Sequence, residues 1–169
     1  MFQPMKSILF ATDLSENCLP ALEASISLAK QHNASIVLLH VIAREVPGAI
    51  EGYFSSMLGD EKWRSIQEGQ EQDARDALIG KMTSSKILQK VMRQFSQDVG
   101  LEETSSDLDW HEVVTVDKNI DSAILSQAKE SECDLIILGS GKSFWGGNAI
   151  GSTIKGVMHH TDIPVMLVP

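Results

Sequence analysis

Apolar residues fall along this chain in short dense runs, separated by stretches where they recur every three or four positions. The first run, Ser7-Ile8-Leu9-Phe10-Ala11, stops at the polar Thr12-Asp13-Leu14-Ser15. Unbroken apolar character over so few residues predicts a strand covered on both faces and ending in a turn. Ser15 is placed to cap a helix starting at Glu16, whose apolar face is Leu19, Leu22, Ile26 and Ala29, with Asn33 closing it in a left-handed conformation. Ile36 to Ile42 is again almost continuously apolar and β-branched, which predicts a central strand.

The pattern then breaks. Pro47, Gly48, Gly52 and Gly59 surround Tyr53 and Phe54, and residues 43–59 read as a loop or lid. From Asp60 to Val99 the composition is helical, with Gly80 and Thr83-Ser84-Ser85 dividing it into two helices. Its acidic run, Glu61 through Asp76, reads as a solvated face. A third strand is expected over Leu108 to Val116, then a helix capped by Asn119 with Ile120, Ile124 and Ala128 on its inner face. Leu135 to Leu138 is the fourth strand, Gly139 to Gly147 a glycine-rich loop, Ser152 to His160 a short helix, and Val165 to Val168 a last strand fenced by Pro164 and Pro169.

Strand and helix in strict alternation predict an open, doubly wound five-stranded parallel sheet with right-handed crossovers and helices on both faces. Such sheets bind ligands outside the carboxyl ends of their strands, where the winding reverses. The residues that matter for chemistry are therefore those just after each strand: Thr12 and Asp13, then Ile42 and Ala43, then Asp117, and above all Gly139 onward. The last strand is expected at a sheet edge, with Met166 and Val168 on one face and Val165 and Leu167 on the other.

Composition narrows the picture. With 169 residues, 43% of them hydrophobic, residues 1–169 suit a single domain with its own core. A net charge of −9 argues against a nucleic-acid partner, since phosphate-backbone binding needs clustered Lys and Arg. No run approaches the roughly 20 apolar residues of a membrane span, and Met1 to Lys6 carry no secretory pattern, so a cytoplasmic protein without a membrane partner is expected. Cys18 and Cys133 lie far apart without metal or redox spacing and read as buried thiols.

Gly139-Ser140-Gly141-Lys142-Ser143 invites comparison with a phosphate-binding P-loop, but that motif needs a glycine where this chain has Ile136. Nine residues separate Gly141 from Gly151-Ser152-Thr153, at the start of the predicted helix. Backbone amides at a helix start, helped by the helix dipole, make an anion site, and Ser152 and Thr153 add hydroxyl donors. The same three residues also describe an ordinary turn and cap, and spacing alone leaves both readings open.

Taken together, Ile8-Leu9-Phe10-Ala11-Thr12-Asp13-Leu14-Ser15, Leu39-His40-Val41, the strand ending at Leu138 with its glycine loop, Gly151-Ser152-Thr153 and Pro164-Val165-Met166-Leu167-Val168 resemble the universal stress protein family over nearly the whole chain. The resemblance implies a Rossmann-like, adenine nucleotide alpha hydrolase-like fold. In the family's ATP-binding subgroup, ATP (or AMP or ADP) would lie with Ala11, Thr12 and Asp13 at the first strand end and the Val41 backbone at the adenine. Leu138 and Gly139 would flank the ribose, and Gly141, Gly151, Ser152 and Thr153 the phosphates. Lys142 would assist electrostatically or simply be solvated, and Mg would arrive through the phosphates. It also implies a homodimer through residues 164–168. One departure stands out: a single residue, Ser140, separates Gly139 from Gly141, where the family has two. A second is Asp117-Lys118-Asn119, where the family more often has glycine and proline; Asp117 would carry negative charge toward the phosphates.

The remaining candidates read as structure. His159 and His160 are neighbours on a helix, point about 100° apart and suit its carboxyl end. His40, amid apolar residues, reads as a hydrogen-bonded core histidine. Asp13 suits a turn cap as well as a base, and no nucleophile, base and orienting group assemble around it. The expected function is a dimeric ATP-binding stress-response switch or sensor, with at most slow ATP hydrolysis. The alternative is a dimer of the same fold that binds no nucleotide and serves as a protein-interaction module.

Overall fold

The computed structural model describes residues 4–14, 16–43, 108–140 and 150–169, with Glu61 and Gln97 as single helical positions. The expected loop at 43–59, the division of 60–99 at Gly80, the capping role of Ser15 and the loop from Gly141 to Gly147 lie outside the described residues, apart from Ala43, which ends the second strand.

Five strands, β1 (Ser7–Ala11), β2 (Ser35–Ala43), β3 (Trp110–Asp117), β4 (Leu135–Gly139) and β5 (Val165–Val168), form one sheet in the order β3-β2-β1-β4-β5. Every pairing is parallel. Three described helices accompany them: α1 (Leu19–His32), α2 (Ile120–Glu130) and α3 (Ser152–His160). Because side chains alternate across a strand, β1 splits its apolar run between two cores. Ile8 and Phe10 join Ile36, Leu38, Ile137 and the inner face of α1, while Leu9 joins Val37, Leu39, Ile136 and the inner faces of α2 and α3. Burial on both faces is what lets these strands be apolar at nearly every position, and Ile8, Leu9 and Phe10 are all fully buried.

Several boundaries differ from expectation: β2 extends one residue beyond each end of Ile36 to Ile42, and β4 takes in Gly139. The first helix opens not at Glu16 but with a 3-10 turn, Glu16–Cys18, and turns α-helical at Leu19 with Pro20 in its first turn, where a missing N–H costs nothing. The third strand starts at Trp110, two residues later than the pattern suggests, and runs one further, to Asp117. Asn33 closes α1 as anticipated, at φ 53° and ψ 44° with its N–H on the Ala29 carbonyl. In β5, Val165 and Leu167 pack toward α2 and α3, Val168 packs toward α1, and Met166 is exposed. At the amino-terminal end of the sheet, Asp134 Oδ2 accepts the Lys6 and Ser7 N–H groups (2.6 and 3.1 Å), tying the entry of β1 to the entry of β4.

Candidate functional site

The register of the sheet leaves a notch at its carboxyl end. β1 stops at Ala11, opposite Leu39 of β2 and Leu138 of β4, while β2 continues to Ala43 alongside β3. The winding reverses at the same place, since the chain moves outward from β1 through β2 to β3 and then returns to the far side of β1 with β4. The last bond of the ladder is Thr12 N–H to the Leu39 carbonyl (2.9 Å). The Thr12 hydroxyl then accepts Leu14 N–H (2.9 Å), and Leu14 takes a left-handed φ of 64°, which swings the chain off the sheet. In β2, Ser35 and Leu39 direct their peptide groups at β1. By the same alternation Val41 presents its N–H and C=O to the notch beyond the end of β1. The acceptor next in line on β1, the Thr12 carbonyl, is held by His40 Nδ1 at 2.8 Å.

The notch is a cavity of about 340 Å³. Ala11, Thr12 and Asp13 form one side, Leu39, His40 and Val41 another, and Leu138 and Gly139 a third. Ile120 and Ile124 from α2 and Ile154 from α3 make an apolar wall, and Thr153 brings in the start of α3. A few polar groups converging on a mainly apolar hollow suit a small ligand with a flat apolar part and a polar or anionic end.

The polar groups have defined states. Asp13 is exposed, and its Oδ1 accepts the Cys18 thiol at 3.0 Å. Burial, followed by that bond to Asp13, pushes the Cys18 thiol above its ordinary 9.0, so at neutral pH it is a protonated donor and a poor nucleophile. Burial pushes His40 below its ordinary 6.5, against the smaller opposing pulls of the Thr12 carbonyl and of the Asp13 charge. The neutral imidazole therefore carries its proton on Nδ1, toward Thr12. The unfolded chain binds a proton at His40 more readily than the folded one, so stability rises with pH through this interval. The contribution is complete above pH 6.5 and is lost as pH falls below that value toward the lower folded pKa. Urea unfolding between about pH 7 and about pH 5 is expected to show a loss of stability toward acid that His40→Asn reduces. An unchanged loss in the variant would assign the acid sensitivity to other groups.

At the head of α3, Gly151 is the N-cap residue, with φ −55° and ψ 150° and no side-chain capping bond. Lys155 N–H makes the first helical bond, to the Gly151 carbonyl (3.1 Å), so the preceding amides lack helical acceptors. Among the described residues, a Cβ built on Gly151 would meet nothing within 4 Å. At Gly139 a Cβ would sit in ordinary contact with Cys18, 3.5 Å from Sγ.

Of the residues singled out from the sequence, Ala11, Thr12, Asp13, Val41, Leu138, Gly139 and Thr153 line this one cavity. Gly151 and Ser152 adjoin Thr153 at the exposed helix start without lining it, and Gly141 and Lys142 lie outside the described residues. Cys18, Leu39, His40, Ile120, Ile124 and Ile154 were not foreseen as cavity residues. Asp117 is not a lining residue either: it is exposed, and its Oδ1 accepts Asn119 N–H at 3.0 Å. Asn119 is the N-cap of α2 but makes no side-chain capping bond. His160 binds the helix end as expected, through Nδ1 to the Gly156 carbonyl (2.8 Å). Among the described residues no cluster of three or more His, Cys, Asp or Glu could hold a metal ion. A larger polar hollow of about 650 Å³ lies at the opposite end of the sheet around Lys6, Ser35, His111 and Asp134, where Asp134 is already committed to backbone amides.

A doubly wound α/β sheet with a cavity at its switch point and a helix start beside it defines a Rossmann-like α/β fold. The sequence model of the universal stress protein family matches residues 4–169, and the chain belongs to that family. No curated protein matches it by sequence. Among solved structures it is similar to the universal stress protein UspA from Lactobacillus plantarum (23% identity over 99% of this chain and 100% of that one, TM-score 0.60). It is also similar to a universal stress protein solved in complex with cAMP (16%, 98% of each chain, TM-score 0.55). A third is the universal stress protein from Archaeoglobus fulgidus in complex with dAMP (15%, 99% and 100%, TM-score 0.52). At these identities the likeness is one of fold. Among the described residues no helix is long and apolar enough to cross a membrane.

Proposed function

We propose that this protein binds an adenine nucleotide, ATP in the first instance, in the notch at the end of β1, and acts as a stress-response switch or sensor and not as an efficient enzyme. The observation that carries this reading is the placement of an apolar slot, a backbone edge and an open helix start around one cavity. The adenine ring enters between the apolar wall of Ile120, Ile124 and Ile154 and the Val41 backbone, whose N–H and C=O match the hydrogen-bonding edge of a base. Asp13 accepts a hydrogen bond from a ligand N–H or hydroxyl, and the amides before Lys155 take the phosphates, with Mg entering as their counterion. Two proteins of similar fold are complexes with cAMP and dAMP, which supports a purine ligand.

The assembly proposed is a homodimer through residues 164–168. Met158 and Met166 are the exposed large apolar side chains among the described residues, and β5 is a sheet edge, which favours cover by a second copy. The single-residue spacing between Gly139 and Gly141 favours the second reading, a dimer of this fold working by protein contacts alone.

Calorimetric titration with ATP, with and without Mg and after removal of any copurified nucleotide, separates the two. One saturable site per chain is expected. No heat and no thermal stabilisation at about millimolar ATP would replace the nucleotide reading with the interaction-only one.

A further inference from the structure

We infer that His40 is a positioning residue for the cavity: its imidazole clamps the β1–α1 turn through the Thr12 carbonyl and thereby sets where the Asp13 carboxylate is presented to a ligand. The role of Asp13 toward nucleotide rests on the proposed function; the clamp itself stands on geometry.

Thr12 is held at three atoms. Its N–H is bound to the Leu39 carbonyl, its hydroxyl accepts Leu14 N–H, and its carbonyl accepts His40 Nδ1. Two of these three bonds come from β2, so the turn is tied to the strand whose backbone forms the opposite side of the notch. Asp13 sits between the clamped Thr12 and the left-handed Leu14, and Cys18 fixes its carboxylate from the helix side at 3.0 Å. A left-handed conformation at a leucine persists only where its surroundings hold it, so release of Thr12 frees the whole turn. His40 is 1% exposed and lies where the ladder would pass from Thr12 to Val41. It replaces a backbone bond with a side-chain bond, keeping the turn attached to β2 while the strands diverge to make room for the cavity.

The conservative test pair is His40→Leu, which fills the space without a donor, and His40→Asn, whose side-chain amide donates from nearly the position of Nδ1. ATP affinity is expected to fall about tenfold in His40→Leu and no more than about threefold in His40→Asn. Addition of His40→Leu to Asp13→Ala is expected to cost little beyond Asp13→Ala alone, because the two act along one path; independent, additive losses would overturn the inference.

A measurement without nucleotide runs in parallel. In a Cys133→Ser background, the alkylation rate of Cys18 reports the thiol's bond to Asp13. Corrected for global unfolding measured in urea, it is expected to rise about fivefold or more in His40→Leu and to stay near the parent rate in His40→Asn. Equal rates in all three proteins would overturn the clamp. If the unmodified protein binds no ATP, the proposed function fails, and the alkylation rates alone decide the clamp.

Discussion

Gly151→Val is expected to leave the fold nearly as stable as the parent while weakening ATP binding about thirtyfold or more, roughly 2 kcal/mol. The backbone at Gly151 lies at φ −55° and ψ 150°, a region open to any residue, and among the described residues a Cβ there has no neighbour within 4 Å. No described residue therefore requires glycine at this position. The cost to folding is the poorer N-cap, about 0.5–1 kcal/mol. The branched side chain would occupy the space in front of the amides that the proposal assigns to phosphate. Calorimetry and urea unfolding on the same preparation give the two numbers. Equal ATP affinity in variant and parent would remove the α3 start from the site, and a large loss of stability would show that the glycine has a packing role.

Gly156→Ala is expected to act the other way, destabilising the fold by about 2–3 kcal/mol. Gly156 is in mid-helix in α3, where alanine would ordinarily add stability, yet a Cβ there would lie 2.9 Å from Asp121 Cβ and 2.8 Å from Asp121 Cγ. Rotating the aspartate does not remove a clash with its own Cβ, so α2 and α3 must separate. Those helices supply Ile120, Ile124, Thr153 and Ile154 to the cavity, and the same substitution should weaken ligand binding. A stability within about 0.5 kcal/mol of the parent would show that the two helices separate without cost.

β1 was legible because burial on both faces leaves an apolar run with little alternation, and Ser7 to Ala11 matches the observed bounds; Val165 to Val168, an edge strand without a buried residue, was legible because Pro164 and Pro169 fence it. Asn33 was legible because few residues accept a left-handed helix end. The site was legible only where it follows from strand ends. Ala11, Thr12 and Asp13 terminate β1, and Leu138 and Gly139 end β4. His40 and Cys18 were not readable as site residues. The contact of His40 with Thr12 spans 28 positions and exists only in one register of two strands, and Cys18 reaches the cavity because a 3-10 turn precedes α1. Ile120, Ile124 and Ile154 carry the helical periodicity of any core face, and periodicity does not distinguish a face that meets another side chain from one that borders a hollow. Asp117 follows a strand in the same way as Asp13, but its carboxylate turns to the Asn119 amide.

The outer edge of the sheet limits its own growth. Ile136 N–H binds the Pro164 carbonyl, and both the N–H and the hydroxyl of Ser140 bind the Val168 carbonyl, at 2.8 and 3.2 Å. Residues 164, 166 and 168 therefore direct their peptide groups inward, which leaves Val165 and Leu167 to direct theirs outward. Proline at 169, the next outward position, supplies no N–H. A strand added here finds two residues' worth of backbone and one alignment, too little to template a fibril.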